Sequence, residues 1–80
     1  MKTGQLYQDG RYLFDVNYDL RRAALRKETL PDGTLHPLHA EDDLSEWVGG
    51  RLTLQRQSGK RVKIVVHWLF DDNTGSYIIK

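Results

Sequence analysis

Two groups of residues in this 80-residue chain have the types and spacing to do chemistry. The first is His36-Pro37-Leu38-His39-Ala40-Glu41-Asp42-Asp43, which sets two imidazoles beside a run of carboxylates. Such groups suit zinc or nickel. The spacing matches no fixed ligand geometry, and Pro37 keeps His36 and His39 off a regular helix. Surface histidines are the simpler reading, and no metal or cofactor is expected. Asp42 and Asp43 read as helix-start residues, where unpaired backbone N–H groups and the helix dipole favour negative charge. Asp71-Asp72 reads as a solvated turn, with too few ligands for calcium.

The second group is cationic. Arg51, Arg56, Lys60, Arg61 and Lys63 line one stretch of chain, and Arg21, Arg22, Arg26 and Lys27 form another cluster. On a strand over 61–69, Arg61, Lys63, Val65, His67 and Leu69 share one face. Arg51, Thr53, Gln55 and Gln57 fall on the same side of the strand before it. A sheet face of this kind holds single-stranded nucleic acid when rings accompany the cations, because phosphates pair with Lys/Arg while bases stack. Tyr7, Trp47 and Tyr77 are the rings whose position leaves them free for that. By parity Tyr12, Phe14, Tyr18, Trp68 and Phe70 fall with the core set. Val65 and Leu69, apolar on an otherwise polar face, point instead to a protein partner or a homodimer seam.

Nothing resembles a nucleophile's setting. Ser45, Ser58 and Ser76 lack a Gly-x-Ser-x-Gly context, and there is no cysteine. The glycines sit at turns rather than in a phosphate-cradling loop. A non-enzymatic binding module is therefore expected.

The elements that must position these residues are mostly strands. Leu52 and Leu54 alternate with polar residues, residues 56–60 reverse the chain, and Val62, Ile64, Val66, Trp68 and Phe70 recur at spacing two. Asp9-Gly10 is a two-residue hairpin turn after Gln5-Leu6-Tyr7, leading into Tyr12, Phe14, Val16, Tyr18 and Leu20 at the same spacing. Residues 19–30 read two ways. Leu20-Arg21-Arg22-Ala23-Ala24-Leu25-Arg26-Lys27-Glu28 are strong helix formers after a capping Asp19, whereas Pro31-Asp32-Gly33 signals a turn into a strand at Thr34-Leu35-His36. A short helix is expected near 42–48, its apolar side made of Leu44, Trp47 and Val48, stopped by Gly49-Gly50. Residues 71–75 turn the chain into a last strand, 76–79, left as an edge able to pair with its own copy.

Eighty residues make one domain, 1–80, near the lower limit for an unaided core. Twelve Lys/Arg against eleven Asp/Glu leave a net charge of +1, so any electrostatic preference must come from local clustering. The longest apolar runs, 64–66 and 68–70, are too short to span a bilayer, and 1–4 does not open a signal peptide. A soluble cytoplasmic protein is the default. These features predict a mainly β fold: a small antiparallel barrel or roll, OB-like or SH3-like, of five or six strands with one short helix. An α+β fold is the alternative if 19–29 is helical. The expected function is protein interaction or self-association through the outer face of the 51–69 hairpin, carried by Arg51, Lys60, Arg61, Lys63, Val65, His67 and Leu69. The alternative is a nucleic-acid-binding barrel using the same basic face, flanked by Arg21, Arg22 and Arg26.

Overall fold

The computed structural model describes residues 2–20 and 32–80, with the backbone alone at Leu20. The choice between helix and strand beyond Leu20 lies outside the described residues. The rest is a closed antiparallel barrel of six strands: β1 (Lys2–Gln8), β2 (Arg11–Leu20), β3 (Gly33–Pro37), β4 (Arg51–Gln55), β5 (Arg61–Leu69) and β6 (Gly75–Ile79). Their order around the barrel is β1-β2-β3-β6-β5-β4, with β4 returning to β1. The OB fold, by comparison, has five strands.

Local chemistry accounts for the turns. Asp9 and Gly10 both have positive φ, 52° and 80°, the type I′ combination whose twist matches the strands it joins. At the β4–β5 turn, Gly59 N–H donates to Arg56 O (2.8 Å) and Arg56 N–H to Lys60 O (2.7 Å). Gly59 at φ 93° completes this three-residue loop. In the β5–β6 turn Asn73 takes φ 69° and bridges to the preceding loop. Leu44 N–H donates to its Oδ1 (3.0 Å), and its Nδ2 donates to Asp42 O (2.9 Å).

The core fills the barrel with Leu6, Phe14, Val16, Tyr18, Leu35, Leu52, Leu54, Ile64, Val66 and Tyr77, and Leu44 closes one end. Leu44 belongs to a single 3-10 turn, Leu44–Trp47, which replaces the expected 42–48 helix. Asp43 caps it by accepting from Ser45 N–H at 2.9 Å, and hydrogen bonding from the Ser45 side chain, then from its backbone, holds the carboxyl below its ordinary range. Gly49, at φ 85°, ends the segment and donates to Val66 O at 2.7 Å. So short a turn buries Leu44, half-buries Trp47 and leaves Val48 exposed.

Closure also corrects the expected free edge. β6 is hydrogen-bonded on both sides, to β3 and to β5. Tyr77, at its centre, is buried instead of forming a platform. Its hydroxyl donates to Asp19 O at 2.8 Å. Gly33 opposite leaves no room for a side chain, since a Cβ there would meet both Asp19 O and the Tyr77 hydroxyl. No helix among the described residues is long and apolar enough to cross a membrane.

Candidate functional site

Two β-bulges decide which rings face outward. On β1–β2 the register runs Leu6↔Phe14 and then Tyr7↔Tyr12, so Leu13 is an extra residue. Leu13 packs partly against the core. Tyr12, placed in the core by simple alternation, turns outward beside Tyr7 and is 53% exposed. On β5–β6 the register runs Val66↔Tyr77 and then Trp68↔Ser76, which makes His67 the extra residue. His67 and Trp68 both lie on the surface, Trp68 at 59% exposure, whereas Leu69 is packed against the core. The expected core positions of Trp68 and Phe70, and the expected outer position of Leu69, are thus exchanged. One inserted residue reverses the parity of everything beyond it.

The outer face of β1, β4 and β5 can now be assembled from the pairings. Tyr7 pairs with Thr53, which pairs with Lys63; Gln5 pairs with Gln55, which pairs with Arg61. Arg51 pairs with Val65, itself half-buried beside Ile78. Lys80 joins the row through its N–H bond to Lys63 O at 2.9 Å. Arg51, Lys60, Arg61, Lys63 and His67 are all exposed, as their positions in sequence imply. Lys60 sits at the turn, next to Arg61.

Ring and cation meet directly here. The Arg61 guanidinium lies 4.9 Å from the Tyr7 ring centroid, a cation–π contact. Its Nε donates to Gln55 Oε1 at 3.1 Å. Tyr7 and Tyr12 pack edge-to-face with centroids 5.8 Å apart. The Tyr12 hydroxyl donates to Asp15 Oδ1 at 2.8 Å, and this bond raises the phenol above its ordinary range. A groove of about 540 Å³ is lined by Asp9, Gly10, Arg51, Leu52, Thr53, Lys63, Ile64 and Lys80. Among the described residues that line it, three cationic side chains, Arg51, Lys63 and Lys80, stand with one carboxylate side chain, Asp9.

Negative charge collects elsewhere. Glu41, Asp42, Asp43 and Asp71 line a second cleft of about 440 Å³ with Leu69 and Phe70, where the 3-10 turn meets the β5–β6 turn. Phe70 is 48% exposed there. His36 Nδ1 lies 2.7 Å from Pro37 O and Nε2 lies 3.0 Å from Asp72 O, so both ring nitrogens face backbone carbonyls. Among the described residues no three His, Asp or Glu side chains group as a metal site.

Sequence reasoning found Arg51, Arg61 and Lys63 for this face, with Lys60 at the turn and His67 beyond the last β4 pairing, but missed Tyr12 and Lys80. A signal for Tyr12 was present. A two-residue turn at Asp9-Gly10 pairs Tyr7 with Tyr12, and cross-strand partners share a face. With Leu6 in the core, Tyr7 faces out and carries Tyr12 with it. No family model, curated protein or solved structure matches the chain, so function is argued from the face alone.

Proposed function

We propose that the chain is a non-catalytic cytoplasmic binding module that holds single-stranded nucleic acid across the outer face of β1, β4 and β5. The observation that carries this reading is the Tyr7–Arg61 contact, flanked by Tyr12 and set in line with Arg51, Lys63 and Lys80. Rings give every base a surface to stack on, and the cation row tracks the phosphates, so binding is expected with little sequence preference. Thr53, Gln5 and Gln55 supply neutral hydrogen-bonding groups between the charges. Titration with oligo(dT) and oligo(rU), followed by anisotropy of a labelled strand, tests it. Micromolar or tighter affinity that falls with salt and is lost in Tyr7→Ala supports the proposal. Absence of binding at low salt overturns it.

A second reading is protein interaction, favoured by the exposure of Trp68 and Phe70. These two residues flank the inward-facing Leu69 and so stand on one side of β5 and its extension. An exposed indole and phenyl beside each other are common in partner surfaces. Sedimentation at tens of micromolar tests self-association, which Trp68→Ser should abolish. A monomer at every concentration would remove that form of the reading.

A further inference from the structure

The end of the barrel at the β4–β5 turn holds a second basic pocket, which shares no lining residue with the groove edged by Arg51, Lys63 and Lys80. Its volume is about 330 Å³, and Lys2, Tyr18, Arg56, Gln57 and Ser58 line it. β1–β2 pairing brings Lys2 opposite Tyr18, while Gln57 N–H donates to the Tyr18 hydroxyl oxygen at 3.0 Å. The turn is thereby fastened to β2. Its lining is rich in hydrogen-bond donors.

Arg56 Nε is buried and has no hydrogen-bond partner. A buried charged N–H without an acceptor is costly, and native structures nearly always supply one. The Tyr18 hydroxyl already accepts from Gln57 and so keeps its own proton to donate. Lys2, exposed at the rim, adds a second positive charge. No carboxylate is among the described residues that line the pocket.

We infer that Arg56, Lys2 and Tyr18 form a site for a tetrahedral oxyanion of the phosphate class. Arg56, which lines the pocket, donates from its guanidinium, the Tyr18 hydroxyl and Ser58 side chain add neutral bonds, and Lys2 supplies charge at the mouth. The same chemistry fits free phosphate or the terminal phosphate of a nucleic-acid strand. It does not depend on the strand-binding reading of the β1–β4–β5 face.

The test is thermal unfolding against increasing sodium phosphate, with sodium chloride at matched ionic strength as control. Phosphate should raise the midpoint saturably beyond chloride. Arg56→Gln should weaken the apparent affinity about ten- to a hundredfold, the effect of one charge-assisted bond. Lys2→Gln, at an exposed position that leaves the fold intact, should weaken it to a smaller degree. An equal shift with chloride, or a phosphate shift unchanged in both variants, overturns the inference. A companion titration compares oligo(dT) with and without a 5′-phosphate. Preference for the phosphorylated strand that Lys2→Gln removes identifies a strand terminus as the source. Equal binding of the two strands, with the phosphate shift retained, identifies a free oxyanion.

Discussion

Changing Arg61 and Lys63 together to glutamine removes two of the four cations that the β-sheet pairing and the groove place on one face, leaving Arg51 and Lys80. Each phosphate neutralised on a single strand releases counterions worth a log–log salt slope of about −0.7. Four contacts therefore give about −2.8, and affinity should fall about fiftyfold between about 50 and 200 mM salt. With two contacts the slope halves to about −1.4, and the same salt change costs only about sevenfold. The double variant must bind more weakly at low salt yet be less sensitive to salt, and the two curves should converge as salt rises. Fluorescence anisotropy of a labelled oligo(dT) over that range reads both quantities. Both side chains are exposed, so the fold should be unaffected, which urea denaturation checks. A parent slope shallower than about −1, or a variant with unchanged slope, would refute the assignment of phosphates to this row.

The bulge at His67 makes Trp68→Ala cost no more than about 1 kcal/mol in urea denaturation, against about 2–5 kcal/mol for the fully buried Ile64→Ala; a reversed order would mean the parity is wrong. Gly33→Ala forces a Cβ onto Asp19 O and the Tyr77 hydroxyl and should destabilise by about 1–3 kcal/mol or more, measured the same way. Burial pushes the Tyr77 phenol up to about 12 from 10.0. The folded chain thus keeps this proton to higher pH than the unfolded one, so the contribution is complete below pH 10 and is lost as pH rises through about 12. Tyr77→Phe should lose about 1 kcal/mol at neutral pH with its bond to Asp19 O, but its stability should decline less steeply above pH 10. A parallel decline in parent and variant would assign the alkaline loss to other groups.

The alternating strands, the Asp9-Gly10 hairpin and the reversal at residues 56–60 were all legible in the sequence. Each rests on local physics: side chains on a strand alternate faces, and particular residues tolerate the φ values that turns demand. The same alternation identified Arg51, Arg61, Lys63 and His67 as outward-facing, and the structure exposes all four. What alternation cannot report is an inserted residue. Leu13 and His67 each break the period once, and beyond each break the pattern continues with the opposite sense. That is why Tyr12, Trp68 and Leu69 were misplaced, and with them part of the candidate surface.

The Leu44–Trp47 turn shows another limit. Asp43 and Gly49 marked its ends, but so few residues separate them that only Leu44–Trp47 close, as a 3-10 turn. The sequence by itself determined the strands, their turns and the cationic side of β4–β5, because those follow from neighbours along the chain. Closure of β4 on β1, burial of Tyr77 between β3 and β5, the meeting of Arg61 with Tyr7 and the pocket around Arg56 were decided by the tertiary structure. They join residues on strands brought together only when the sheet closes, and that closure depends on register and bulges set by the whole core.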